Sequence, residues 1–170
     1  MTTAGRGIYV MMGVSGSGKS LVGAAFAREL GVAFVDGDDY HSAENVRRMA
    51  SGIPLTDENR ADWLQALAAR IAEAHRNDEG LVVACSALKR SYRDILRSAA
   101  PRVNFILLDG PRDLIARRME TRRGHYMPAS MLDSQLATLE RPEPDEDIWV
   151  ADISCSPPSI VDDLVSRASK

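Results

Sequence analysis

Residues 13–20 carry the side chains and spacing best suited to chemistry, and they read GVSGSGKS. The spacing G-x-x-x-x-G-K-S is that of a phosphate-binding loop (P-loop), and it lies between an apolar run and a helical segment. Its glycines allow a tight turn whose backbone N–H groups converge on phosphate oxygens, and the following helix adds partial positive charge. Lys19 is expected to reach the outer phosphates, and the Ser20 hydroxyl to ligate Mg²⁺. A glycine-rich turn without a ligand is the alternative, but the flanking pattern favours nucleotide binding.

A second polar group, Asp36-Gly37-Asp38-Asp39, follows the apolar run 32–35. Residues just past the carboxyl ends of parallel strands face the ligand crevice. Carboxylates there can hold Mg²⁺ through water and accept the proton of an attacking hydroxyl. Turn formation alone would explain these residue types, but the P-loop favours a function for Asp36 and Asp38. Asp39 is expected to face water or cap the next helix, and the role of His41 stays open.

Asp109 ends the apolar run 105–108 and has the local pattern of a metal-binding Walker B strand. If the strand order is 2-3-1-4-5, however, the third strand lies beside the P-loop strand on the Walker B side. That strand ends at Cys85-Ser86 without a carboxylate. We therefore expect Asp109 to be a structural turn residue, and the metal to depend on Ser20, the Asp36/Asp38 pair, phosphates and water.

Short apolar runs alternate with amphipathic segments, which predicts one domain with a parallel sheet covered on both faces. Strands are predicted at residues 8–12, 32–35, 81–84, 103–108 and 148–153. One helix is predicted from the P-loop to Leu30 with a stop at Gly31, and a second segment spans 42–51. Thr56 is expected to cap a long helix, and Pro157 to begin the last one.

The composition is that of an ordinary globular protein, with 45% hydrophobic and 26% charged residues among 170. A net charge of −3 provides no basic surface for nucleic acid. The apolar runs are too short to span a membrane. The two cysteines, Cys85 and Cys155, form no C-x-x-C pair, which argues against a disulfide framework or a zinc site and favours the cytoplasm.

Two basic segments provide cations for an anionic substrate or for phosphates. Lys89 follows the predicted strand 81–84 closely enough to meet an anionic substrate, whereas Arg93 fits a solvated helix equally well. Residues 117–123 contain four arginines and are followed by Gly124 and Pro128. A charge run is usually an exposed helix face, but these two breaks favour a mobile lid that carries arginines onto the transferring phosphates.

Four segments together resemble the gluconate kinase (gluconokinase) family. They are GVSGSGKS, DGDDYHSAENVRRMASGIPLTDENRADWL, ACSALKRSYRDILR and RRGHYMPASMLDSQLATLE. The P-loop is common to many families, whereas the other three segments are specific, and the resemblance covers nearly all the chain from Ile8 onward. It implies a P-loop kinase fold related to shikimate and nucleoside monophosphate kinases, with three α/β/α layers, a five-stranded parallel sheet of order 2-3-1-4-5 and a lid at about residues 118–135. It also implies that ATP with Mg²⁺ phosphorylates the 6-hydroxyl of D-gluconate to give 6-phospho-D-gluconate.

The resemblance also implies a role for individual residues. Tyr126 replaces the usual Phe and keeps the ring, whereas Arg141-Pro142 departs from the family pattern and receives no role. The implied catalytic residues are Lys19, Asp38 and Arg122, and the implied metal ligands are Ser20 and Asp36. The residues implied to hold ATP are Gly13, Val14, Ser15, Gly16, Ser17, Gly18, Lys19, Ser20 and, at adenine, Arg118. The residues implied to hold the substrate are Asp36, Asp38, Arg48, Lys89 and His125.

Two other functions remain open from the residues alone. A kinase for another small anionic metabolite, such as shikimate or a nucleoside monophosphate, would share the P-loop and lid, so only the substrate cleft distinguishes it. A nucleotide-dependent switch is the third hypothesis, although the N-K-x-D element of guanine switches is missing. Gluconate is the expected partner, without nucleic acid or membrane, and the dimers common among relatives lead us to expect a homodimer.

Overall fold

Five parallel strands form one sheet in the order β2-β3-β1-β4-β5 in the computed structural model, which describes residues 3–121 and 131–170. The predicted sheet and its strand order are therefore confirmed. The P-loop strand β1 lies at the centre, between β3 and β4. The strands are β1 (Ile8–Met12), β2 (Ala33–Asp36), β3 (Leu81–Ala84), β4 (Asn104–Asp109) and β5 (Trp149–Asp152).

Helices within the described ranges cover both faces of the sheet, as predicted. Ser42 caps α2 by accepting a hydrogen bond from the backbone of Asn45. Thr56 and Asn59 form a reciprocal capping box at the start of α3. The helices are α1 (Lys19–Leu30), α2 (Ala43–Ala50), α3 (Asp57–Arg76), α4 (Arg90–Arg97), α5 (Arg112–Thr121), α6 (Met131–Thr138) and α7 (Pro157–Ala168).

Alternate residues of β1 enter two separate cores, one on each face of the sheet. Tyr9 and Met11 pack in the core that includes α1 and α7. Ile8, Val10 and Met12 pack in the core that includes α3 and α4. Burial on both faces explains why this strand reads as a continuous apolar run. It also anchors the strand that leads into the P-loop.

Strand β2 begins and ends one residue later than predicted. At the end of α1, Gly31 has a φ of 69°, and the N–H groups of Gly31 and Val32 donate to the carbonyls of Arg28 and Ala27. This pair of hydrogen bonds makes Val32 part of the helix cap and not of the strand. As a consequence Asp36 is the last residue of β2, in register with Ala84 of β3, and does not lie beyond the strand.

Arg93 is neither solvated nor available to a substrate, because its side chain is 0% exposed. Its guanidinium donates from Nε and Nη2 to the two carboxylate oxygens of Glu146, at 2.7 and 3.0 Å. Arg97 donates to the same carboxylate at 2.9 Å. Hydrogen bonds from Arg93 outweigh the effect of burial and, with those from Arg97, lower the pKa of Glu146 to about 2. The pair fixes α4 to the segment before β5.

We predict that Glu146→Gln lowers the free energy of unfolding by about 3–5 kcal/mol at neutral pH, because Arg93 keeps a buried charge without its counterion. Urea unfolding of both proteins measures the difference. Since the folded pKa of about 2 lies below the ordinary 4.5, the stabilisation is complete above pH 4.5 and is lost as the pH falls towards 2. The exposed neighbour Asp145, changed to Asn, is the matched control with a small expected effect. Equal losses in the two variants would contradict this account.

Candidate active site

The P-loop connects β1 to α1 and has the backbone geometry that its glycines permit. Gly13, Gly16 and Gly18 have φ values of 144°, 81° and 96°, a region that other residues rarely adopt. The N–H of Gly13 donates to the carbonyl of Ser86, 3.3 Å away, which ties the loop to the segment after β3. Because α1 begins at Lys19, the loop leads directly into a helix N-terminus, where backbone N–H groups favour anions.

The two side chains that end the motif are held at the start of α1. Lys19 Nζ donates to the backbone carbonyl of Val14 at 3.0 Å and so folds back over the loop. Ser20 Oγ donates to Asp36 Oδ2 at 2.7 Å. The second hydrogen bond joins the P-loop helix to the acidic turn, as expected for residues that serve one site.

The acidic turn is pressed against β3 and fixed by α3. A Cβ on Gly37 would lie 2.4 Å from the carbonyl oxygen of Ala84, so only glycine fits there. Trp63 Nε1 donates to the carbonyl of Gly37 at 2.7 Å, and Asp36 Oδ1 accepts from the N–H of Asp38 at 3.0 Å. These contacts leave Asp38 half-buried, whereas Asp39 is exposed, as expected.

One cleft at the carboxyl edge of the sheet brings the P-loop and the acidic turn together with α2, α3 and α6. Its polar wall includes the expected Lys19, Ser20 and Asp38, and its apolar wall comes from α2, α3 and the segment between them. Described residues that line it are Ser15, Gly16, Gly18, Lys19, Ser20, Asp38, His41, Met49, Leu55, Arg60, Trp63, Ser86 and Gln135.

His41 forms a neutral part of this cleft. Its ring stacks on Trp63 with centroids 4.1 Å apart and planes inclined by 17°. Burial, and secondarily the positive charge of Arg60, lower the pKa of His41 to about 4. At neutral pH the imidazole is therefore uncharged, so it can both donate and accept a hydrogen bond in the cleft.

Arg60 is the cleft-lining end of a chain of polar contacts. Its Nη1 donates to the hydroxyl of Tyr92 at 3.0 Å, and that hydroxyl donates in turn to Asp57. Lys89 Nζ reaches the same Asp57 carboxylate at 2.9 Å. Hydrogen bonds from Tyr92 and then Lys89 lower the pKa of Asp57. Lys89 is thus linked to the cleft through Asp57, Tyr92 and Arg60.

Comparisons with known proteins identify the family. A family model described as an AAA domain matches residues 8–142. The thermosensitive gluconokinase of Escherichia coli K12 is 47% identical over 147 residues, which cover 86% of this chain and 79% of that protein. This chain belongs to the gluconokinase family. A gluconokinase structure from Sinorhizobium meliloti 1021 has a TM-score of 0.86 at 45% identity, covering 96% of this chain and 92% of that one. A sugar kinase structure from Janibacter sp. HTCC2649 has a TM-score of 0.90 at 46% identity, covering 94% of this chain and 92% of that one.

Three cations with predicted roles in this gluconokinase family member contact other groups of the chain. Arg48 pairs with Glu44 at 2.8 Å, one turn earlier on α2. Arg118 Nη2 donates to the carbonyl of Ile153, just after β5, at 2.7 Å. Neither Arg48 nor Lys89 is among the described residues that line the cleft. Their roles at gluconate, and that of Arg118 at adenine, stay predictions.

Residues 122–130, half of the predicted lid, lie outside the described residues. Arg122 and His125 belong to that part, so their roles at phosphate and substrate stay predictions. Of the proposed range 118–135, residues 118–121 end α5 and residues 131–135 begin α6.

No helix within the described ranges has the length and apolar character needed to cross a membrane.

Asp109 does not line the cleft. It is the last residue of β4, and its Oδ2 accepts from Arg141 Nη1 at 2.6 Å. The strand order places β4 on the side of β1 opposite to β3, as predicted from the sequence. Arg141, which the family resemblance left without a role, therefore has a structural partner.

The donor set beside the P-loop fits Mg²⁺. Ser20 offers a hydroxyl, and Asp36 and Asp38 offer carboxylates, all of them the hard oxygen ligands that this ion prefers. Among residues 3–121 and 131–170, no group of three or more His, Cys, Asp or Glu could hold a metal ion by itself. Mg²⁺ usually combines one or two carboxylates with waters and substrate phosphates. Ser20 and Asp36 are therefore suited to a site that the nucleotide completes.

Sequence reasoning missed Arg60 and Gln135 and treated Trp63 only as a core residue. Arg60 and Trp63 are three residues apart on α3, a spacing that places them on one face of a helix. The sequence therefore contained a signal for Arg60, because Trp63 was already predicted on the inward-packing face of this helix. Gln135 had no such signal, since its contact with the P-loop joins residues 120 positions apart.

Proposed function

We propose that this gluconokinase family member transfers the γ-phosphoryl group of ATP to the 6-hydroxyl of D-gluconate. The observation that carries the proposal is the single cleft in which the P-loop, Asp38 and Arg60 face one another. The cleft offers the P-loop to the phosphates, Asp38 to the attacking hydroxyl and Arg60 to the substrate carboxylate. The names and high identity of the relatives support gluconate as the acceptor.

The P-loop and α1 hold the triphosphate in this proposal. Backbone N–H groups of the loop and the N-terminus of α1 supply fixed positive potential, and Lys19 adds a full charge. Ser20 and Asp36 would hold Mg²⁺, which when bound neutralises charge on the phosphate oxygens. Arg118 at adenine and Arg122 at the transferred phosphate complete the set that we propose.

Asp38 prepares the acceptor hydroxyl. Its backbone is fixed by Asp36 and its turn by Trp63, so the half-buried carboxylate has a defined place in the cleft. The 6-oxygen forms a bond to the γ-phosphorus while the bond between the γ-phosphorus and the β–γ bridging oxygen breaks. The hydroxyl proton passes to Asp38, and ADP leaves with the bridging oxygen.

Arg60 receives the gluconate carboxylate. Of the cations Arg60, Arg48 and Lys89, Arg60 alone lines the described cleft, while the other two are paired with Glu44 and Asp57. Neutral His41 and the buried Trp63 lie in the same wall and limit the access of water. Arg48 and Lys89 remain proposed as more distant cations that attract the anionic substrate.

We predict that Arg60→Met raises the KM for gluconate by about 10- to 100-fold, the effect of losing a charge-assisted hydrogen bond. The KM for ATP should change little, because the altered side chain faces the substrate. Steady-state kinetics with each substrate varied in turn measure both constants. Arg70→Met makes the same change two to three turns later on α3 and is the control. An unchanged KM for gluconate in Arg60→Met would contradict the assignment.

The proposed function is tested by turnover across a panel of acceptors. ADP release is measured with gluconate, other sugar acids, shikimate, nucleoside monophosphates and no acceptor. We expect gluconate to have the highest kcat/KM and the acceptor-free reaction to be slow. Efficient turnover of another acceptor with gluconate inert would overturn the proposal, and acceptor-independent hydrolysis alone would favour a nucleotide switch.

A further inference from the structure

One peptide unit of the P-loop is held by side chains on both of its polar groups. The carbonyl of Val14 accepts from Lys19 Nζ at 3.0 Å. The N–H of Ser15 donates to Gln135 Oε1 at 2.6 Å. The carbonyl of one residue and the N–H of the next lie in one rigid plane. Lys19 and Gln135 therefore clamp the same Val14–Ser15 peptide from opposite sides.

The side chain of Gln135 is held in place by packing, unlike a flexible side chain on the surface. Gln135 is 6% exposed and lies on α6, one turn after Leu132. Leu132 is buried in the same core as Val14, which places this face of α6 against the loop. Just beyond α6, the N–H of Glu140 donates to the carbonyl of Leu88 at 2.7 Å, so the segment is also anchored after β3.

This arrangement restricts the orientation of the peptide and the position of Lys19 together. A peptide flip would break both hydrogen bonds and leave the N–H of a buried residue without its acceptor. The Val14 carbonyl would then turn away from Lys19 Nζ. A shift of about 1 Å in a group that meets the reacting phosphate can cost about 10²-fold in rate. Gln135 therefore has a route to the chemistry through the peptide it holds.

We propose that Gln135 is a positioning residue for phosphoryl transfer. By accepting from Ser15 N–H it fixes the Val14–Ser15 peptide, and through the Val14 carbonyl it sets the place from which Lys19 meets the transferred phosphate. The inference rests on the proposed function of the cleft. It couples α6, whose first residues fall within the predicted lid range 118–135, to the loop that is proposed to hold the nucleotide.

Two other roles for the same contact make different predictions. A purely structural hydrogen bond would stabilise the fold and leave the kinetic constants alone. An amide plug, displaced when a phosphate oxygen takes the Ser15 N–H, would weaken nucleotide binding in the wild type. Removing a plug would tighten ATP binding without slowing turnover. The positioning role requires a loss of kcat.

The test is Gln135→Met, which keeps side-chain length and removes the acceptor. We expect kcat to fall by about 10- to 100-fold, with the KM for gluconate within about twofold of wild type because the change does not touch the substrate. Gln65→Met makes the same replacement on the exposed side of α3 and is the control. If Gln135→Met does not fold, Gln135→Ala should show the same loss of kcat.

A double-mutant cycle with Lys19→Ala tests whether Gln135 acts through Lys19. In the Lys19→Ala background, Gln135→Met should cost little further activity, because the group it positions is already gone. Unchanged kcat with a lower melting temperature, tighter ATP binding with unchanged kcat, or an equal loss in both backgrounds would each overturn the inference. An inactive wild-type protein would instead contradict the proposed function, so the two failures are distinguishable.

Discussion

Asp38→Asn should reduce turnover by about 10²- to 10⁴-fold while ATP still binds, because an amide cannot accept the proton of the 6-hydroxyl. The substitution preserves size and hydrogen-bonding reach. The turn should also remain in place, since the contacts that hold it come from Asp36 and Trp63. Gluconate turnover at saturating ATP, with nucleotide binding measured by calorimetry, separates the lost chemistry from lost binding.

Two other carboxylates provide controls for this prediction. Asp39→Asn changes the exposed residue of the same turn, and Asp109→Asn changes the carboxylate with the Walker B-like pattern. Both should retain most of the activity, although Asp109 also loses its ion pair with Arg141. Collapse of turnover in Asp109→Asn with an active Asp38→Asn protein would show that the acidic turn is not the catalytic one.

Lys19→Ala should reduce kcat by about 10²- to 10³-fold, the loss expected when a preorganised charge on a developing negative charge is removed. Lys19 begins α1 and lines the cleft, and we propose that its ammonium meets the phosphates of ATP there. The variant should remain folded, because the side chain is not part of either apolar core. Circular dichroism and steady-state kinetics measure these two properties.

Arg28→Ala is the matched control for Lys19→Ala. It removes the same charge from the last turn of the same helix, at an exposed position. We expect nearly wild-type turnover in that protein. A folded Lys19→Ala protein with nearly normal turnover would contradict the phosphate-binding role of the loop, whatever the behaviour of the control.

Elements determined by local sequence were predictable to within one residue. The P-loop strand and β3 have their predicted bounds, and the caps at Ser42 and Thr56 begin the predicted helices. The shift of β2 arises because Gly31 forms a two-bond cap that also uses the N–H of Val32. A glycine after a helix can end it with different sets of hydrogen bonds. The residue types alone do not decide whether the N–H of Val32 joins the cap or the strand.

The site was predictable where its residues are contiguous and not where packing brings them together. The P-loop and the acidic turn each carry a motif, and the structure joins them through Ser20 and Asp36. Arg93 lies in the same basic segment as Lys89, yet it is buried in an ion pair with Glu146. The local sequence does not reveal this pair, because Glu146 lies 53 positions away. Arg60 and Gln135 reach the cleft by tertiary packing, and for Gln135 no local pattern marks that outcome.

The position of the new phosphate on the product shows whether the cleft transfers the γ-phosphoryl group to the 6-hydroxyl. The protein is incubated with ATP, Mg²⁺ and D-gluconate, and the product is analysed by two-dimensional ³¹P–¹H NMR. We expect a phosphomonoester coupled to the methylene protons at carbon 6, in amounts equal to the ADP formed. Phosphate on another carbon, or inorganic phosphate alone, would contradict it.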